Sequence, residues 1–222
     1  MMRAPFIKVA VATAAVLMLT GCVNVLPKTK PVQLYRFGYD AEKIEKVTLA
    51  PAPANGVLVP VNLGGIDFPQ ESQGDRILTT EGNEVAYVGG SRWAAPVRQL
   101  FQDAVKEGFS RSATTVRLDP RGPSAAQYRL DLTVHRFESA YGRGRPTVSV
   151  ALDARLTRLA DRAVVGQRYV TADVAVRRSD MSLMAESYDE ATSQVVAALI
   201  GFTQETVAAN PVPDNKVQVP AR

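Results

Sequence analysis

The chain is short of the residue types on which most catalysis and covalent bracing rest. Its 222 residues include one cysteine (Cys22), one histidine (His135) and one tryptophan (Trp93). A lone cysteine excludes intrachain disulfides and Cys-based metal clusters. A lone histidine leaves every Ser-His-Asp or His-rich metal reading resting on position 135, and no Gly-x-Ser-x-Gly elbow accompanies it. No block of Lys and Arg is interleaved with aromatic residues, so nucleic-acid binding is set aside as a class. Long apolar runs are scarce too. The longest, residues 9–19, is about half of the ~20 residues that a bilayer-spanning helix needs.

What is present begins with that run. Arg3 and Lys8 form a positive n-region, 9–19 an apolar h-region, and Leu19-Thr20-Gly21-Cys22 closes it. This end resembles the lipobox of bacterial lipoproteins. There the cysteine sulfur receives a diacylglyceryl group, the chain is cut before it, and the new amine is acylated. The resemblance implies that 1–21 is a signal peptide, that Cys22 is the lipidation site, and that the mature chain is held to a membrane by its first residue. Several acyl chains, at about 0.8 kcal/mol per buried CH2, make such an anchor permanent. An ordinary cleaved signal with a chance cysteine is the alternative. With Arg3 and Lys8 removed, the formal charge of +4 falls to +2, spread along the chain.

About 200 residues remain, of ordinary hydrophobic (46%) and charged (22%) content, so a packed core is expected. Residues 22–32, with Pro27 and Pro31, read as a lipidated N-terminus and tether. Residues 33–210 read as one domain, and 211–222, with Pro213 and Pro220, as a flexible tail. A first strand is expected at 44–49. Pro51, Pro53, Gly56 and the Gly64-Gly65 pair mark 56–74 as a long loop. Residues 76–80 and 84–88 flank Glu81-Gly82-Asn83 as a hairpin, after which Gly89-Gly90-Ser91 reads as a break. Val97, Leu100, Phe101, Ala104, Val105 and Phe109 recur at helical spacing, predicting a helix over 96–110 behind Pro96.

Clean alternation follows: Tyr128, Leu130, Leu132 and Val134 on one face, then Val148, Val150, Leu152, Ala154 and Leu156, then a strand over 163–176. One apolar face per strand predicts an antiparallel sheet covered on one side only. The cover is supplied by the first helix and a second, capped at Ser182 or Ser187 and ended by Asn210-Pro211. The expected fold class is α+β: two amphipathic helices packed on one face of a curved, mainly antiparallel β-sheet.

Chemistry-bearing patterns each have a structural reading. His135 sits on the polar face of its strand. Gly142-Arg143-Gly144-Arg145 joins two strands, whereas a phosphate loop must feed a helix N-terminus. Asp180, Glu186, Asp189 and Glu190 suit the start of a helix dipole. Trp93, between a glycine-bearing turn and a helix entrance, reads either as the anchor of that corner or as a partner contact. No catalytic residue, metal site or cofactor is assigned, and the chain is expected not to be an enzyme.

The order of these motifs resembles the ABC-type transport auxiliary lipoproteins, including the paraquat-inducible protein C type. After the lipobox come Tyr35-Arg36-Phe37-Gly38 and the segment Val47-Thr48-Leu49-Ala50-Pro51. Then follow a hairpin from Arg76 to Tyr87 and Trp93-Ala94-Ala95-Pro96 leading into a helix. The resemblance implies a non-enzymatic, periplasm-facing partner of mammalian-cell-entry (MCE) type ABC transporters, which move phospholipid or other hydrophobic cargo between membranes. Its partners would be an MCE-domain protein and ABC transporter components, with the membrane reached through the lipid anchor. Phospholipid cargo and self-association are compatible with it. Val23 after the cysteine, where aspartate is absent, implies the outer membrane. Partner-binding candidates are Trp93, Arg143 and Arg145, and the 56–74 loop is expected to carry recognition. The rival readings are an envelope scaffold or activator lipoprotein unrelated to transport and, less well supported, a lipoprotein hydrolase.

Overall fold

Alternation of apolar and polar residues builds the centre of a sheet. In the computed structural model, which describes residues 31–43, 51, 56–118, 126–142 and 144–212, the longest strands are β6 (Tyr128–Tyr141), β7 (Thr147–Arg158) and β8 (Ala163–Ala175). The chain divides into a leading unit, Met1–Pro31, and a body, Val32–Arg222, to which every strand and helix named here belongs. β6 and β7, and β7 and β8, pair antiparallel almost end to end. The other edge of β6 is shared. Its first half takes β2 (Val59–Asp67) and its last residues take β3 (Arg76–Glu81), both in parallel. β3 pairs antiparallel with β4 (Glu84–Trp93), β4 ends beside β1 (Gln33–Tyr35), and β2 carries β5 (Val116–Leu118) on its far side. The sheet is therefore mixed and open; its longest ladders are the expected antiparallel ones.

Two helices cover one face. α1 (Val97–Ser112) buries Val97, Phe101, Ala104, Val105 and Phe109 of the predicted stripe, with Leu100 half-buried beside them. α2 (Met181–Ala209) lies on β7 and β8 and packs beside α1. The helices close tightly at Gly108, where an added Cβ would stand 2.3 Å from Val196 Cγ1. Among the described residues no helix is long and apolar enough to cross a membrane.

Several local expectations are overturned. The 56–74 stretch is not one long loop: β2 runs through it, with Val61 and Ile66 buried. Its Gly64-Gly65 pair is a bulge, where the register to β6 shifts between Leu63 and Ile66. Its last two residues cap α1. Pro96 offers no side-chain cap, and the carbonyls of Gly74 and Gln73 accept from Val97 N (2.9 Å) and Arg98 N (3.4 Å) instead. Gly89-Gly90 does not end the hairpin strand either. With Gly90 at φ 69°, β4 bulges and continues, rejoining β3 at Arg92–Arg76 and taking β1 on its other edge. The cap of α2 is Asp180, whose carboxylate accepts from Ser182 N (2.9 Å) and Leu183 N (3.2 Å), rather than either serine. The strand expected at 44–49 and the tail from 213 lie outside the described residues.

Candidate functional site

The bulge at Gly90 aims Trp93 inward. The indole is 2% exposed and meets Phe37 and Tyr188 edge-on, with centroids 5.0 Å away in each case. Phe137 closes the cluster at 4.9 Å from Phe37 and 5.1 Å from Tyr188. Such edge-to-face pairs add about 0.5–1.5 kcal/mol each beyond their buried area. The Tyr188 hydroxyl donates to the Leu78 carbonyl (3.3 Å), and burial pushes its pKa well above the ordinary phenol value. Trp93 N donates to the Asp75 carbonyl (2.8 Å) and Ala94 N to that of Tyr35 (2.7 Å), which ties β1 to the corner. Of the two readings of Trp93, this burial supports the corner anchor.

Arg145 is exposed in the β6–β7 turn, which Gly144 N closes on the Gly142 carbonyl at 2.8 Å. Because Glu81 pairs with Tyr141, the β3–β4 turn stands beside it, so two hairpin tips share one pole. Trp93 ends β4 away from that pole, and the two candidates are not brought together. Arg143 and Cys22 lie outside the described residues. His135 is exposed on the open face, its Nε2 2.7 Å from Asp153 Oδ2 and its ring stacked on Tyr169. Among the described residues no group of three His, Cys, Asp or Glu could hold a metal ion.

A groove of about 630 Å³ runs between α1 and the β2–β5 edge. Leu63, Phe109, Val116 and Leu118 line its apolar part, and Lys106 and Arg117 contribute cationic side chains. This volume lies within the range of small-ligand and peptide-anchor sites. Its shape depends on α2. Gln204 Oε1 accepts from Thr114 N (2.7 Å), Thr115 N (3.0 Å) and the Thr114 hydroxyl (3.0 Å), fixing the turn from α1 into β5. No sequence motif announces this groove. Its only linear signals are Val116 and Leu118 alternating past the end of α1, and Lys106 on the polar side of the predicted stripe.

The profile of the ABC-type transport auxiliary lipoprotein component family matches residues 44–199. That span contains β2 to β8, Trp93, α1 and most of α2. A crystal structure of a protein from Xanthomonas campestris superposes with a TM-score of 0.67 at 24% identity, covering 80% of this chain and 98% of that one. A second crystal structure, of an uncharacterised protein, superposes with a TM-score of 0.58 at 12% identity, covering 77% and 97%. At these identities the likeness establishes the fold. No curated protein matches the chain in sequence.

Proposed function

Since the chain belongs to the ABC-type transport auxiliary lipoprotein component family, we propose that it is the non-enzymatic, lipid-anchored docking subunit of an MCE-type transport assembly at the outer membrane. The observation that carries this reading is the family match across the body of the chain. Cys22 is the anchor, and Val23 directs it to the outer membrane. The α1–β5 groove is the docking element on the body. It combines an apolar floor with cations in its lining, the composition that anchors an amphipathic partner segment or a passing phospholipid. This replaces the 56–74 stretch as the recognition element, because β2 is an inner strand that a deletion would take out of the sheet.

The test places a photo-crosslinking residue at position 110, an exposed groove-lining position on α1, of the anchored protein in cells. Capture of an MCE-domain protein, lost in Lys106→Glu without a change in melting temperature, supports the reading. Capture of cell-wall synthases alone, or of no protein, overturns it in favour of an envelope scaffold. Intact-mass analysis of the membrane-extracted chain checks the anchor: acyl increments on a chain starting at Cys22 are expected. An unmodified N-terminus elsewhere would sink the Cys22 assignment.

A further inference from the structure

The open face of the sheet, opposite the helices, carries a second feature. At the end of the sheet where β6 begins and β7 gives way to its turn, one hollow of about 410 Å³ is lined by Arg129, Asp131, Arg155, Thr157, Leu159 and Arg162. Three arginines from two neighbouring strands and one turn therefore border one space. The single acid among them is already committed. Asp131 Oδ1 accepts from Arg129 Nε (2.9 Å) and from Gly65 N (3.0 Å). The β2 bulge makes room for this arrangement, because a Cβ on Gly64 would stand 2.1 Å from the same oxygen. Arg155 and Arg162 are exposed, and neither has a carboxylate within ion-pair distance among the described residues. Arg158, Arg168 and Arg177, nearby in sequence, each have one.

The backbone adds a separate sign. Arg162, at φ 59°, is the one non-glycine residue with positive φ among the described residues. Such a conformation is uncommon for a side chain of this size and gathers at ligand-binding turns. The neighbouring Asp161 holds it there by accepting from Ala163 N (3.2 Å) and pairing with Arg158.

We propose that this hollow binds a phosphate group carried on an organic molecule. Guanidinium forks match phosphate oxygens in pairs, and a phosphate offers enough acceptors for three arginines where a carboxylate has two oxygens. Thr157 adds a hydroxyl donor, and Leu159 gives an apolar border for the carbon chain beside the ester. The inference is independent of the docking reading, because the site lies on the other face of the sheet and uses none of the groove residues.

The bearer of the phosphate is a soluble phosphate ester or a phospholipid headgroup, and the experiment separates them. The full lipidated chain in non-ionic detergent is titrated with glycerol 1-phosphate, and in parallel transferred to micelles doped with phosphatidylglycerol or phosphatidylcholine. The NMR signals of the arginine Nε–H groups report occupancy. Saturable shifts with glycerol 1-phosphate are expected, weakened at least tenfold in Arg155→Gln/Arg162→Gln and unchanged in Arg145→Gln. No shift in either doped micelle beyond that in undoped detergent would then assign the soluble ester. Shifts in the doped micelles beyond the undoped ones would assign the headgroup. Arg162→Gln alone, in an exposed turn, keeps the fold and should still weaken binding several-fold. Acetate binding as tightly as glycerol 1-phosphate, or the double variant binding like the parent, would overturn the proposal.

Discussion

On its helix-covered face β6 buries Tyr128, Leu130, Leu132 and Val134, whereas on its open face the same strand exposes Arg129, Thr133 and His135. Both faces come from one run of alternating residues, yet they are organised differently. The covered face is closed by two helices, by interlocking aromatic rings and by glycine at the one place where the helices touch most closely. The open face is organised by polar pairs: the Arg129–Asp131 ion pair and the hydrogen bond between His135 and Asp153. Exposed pairs of this kind contribute little stability, typically under about 1 kcal/mol. The covered face therefore holds the fold together, and the open face is free to carry recognition.

The sharpest way to break this contrast is on the covered side. Phe101 is fully buried and meets Phe68 and Phe137 edge-on at 5.7 and 6.3 Å. Phe101→Ala should cost about 3–5 kcal/mol, read from denaturant melts. A cost under about 1 kcal/mol would mean that the aromatic cluster is not the centre of the core.

Gly108→Ala tests the helix contact with a smaller change. Alanine is the better helix former by about 1 kcal/mol, so propensity alone predicts stabilisation. The new Cβ would meet the stiff Val196 side chain at 2.3 Å and the Tyr39 ring at 3.1 Å, and overpacking costs about 1–3 kcal/mol. A net loss is expected, and Val196→Ala in the same chain should recover part of it. Stabilisation by the single change would show that the helices sit further apart.

Asp180→Ala removes the α2 cap and should cost about 0.5–2 kcal/mol. Asp180→Asn should keep most of that stability, since the amide oxygen can still accept from Ser182 N and Leu183 N. Equal melting of the two variants would reassign the role to the charge of Asp180.

These positions also show how far a sequence reading reaches. The stripe of α1, the alternation of β6 and β7, the β3–β4 hairpin and the end of α2 are local patterns, and each is legible because its period repeats. What escapes is fixed by partners distant in sequence. Gly64-Gly65 reads as a loop signal until β6 supplies Asp131 to hold the bulge. Residues 73–74 read as loop until α1 needs carbonyls for its first turn. Bulges hide themselves as well: the register shift between Val134 and Arg136 moves burial from even to odd positions, so Phe137 enters the core out of phase. Among the candidate site residues, Trp93 stands out in the sequence with two readings, and burial alone separates them. The arginine hollow joins a residue of β6, one of β7 and one of the following turn, a juxtaposition that no linear spacing announces.

The smallest effect is expected on the open side, at the ion pair in the β7–β8 turn. Asp161 accepts from Arg158 Nε (3.1 Å) and Nη2 (2.7 Å) and from Ala163 N. These bonds, that from Arg158 foremost, lower its pKa from 3.8 to about 2. A depressed carboxylate contributes stability that is present above its unfolded value and is lost as pH falls through the folded one. The window is therefore from roughly pH 4 down to 2, and at neutral pH the contribution is constant. Because the pair is solvent-exposed, the change in melting temperature across that window should be slight, and smaller still in high salt. The direct reading is the Asp161 carboxyl carbon in an NMR titration, with a midpoint near 2. In Arg158→Gln the midpoint should rise toward the ordinary aspartate value while the Phe101 and Gly108 effects stay unchanged. A midpoint already at the ordinary value in the parent chain would remove the bidentate pair. The turn that presents Arg162 would then lack the brace proposed for it.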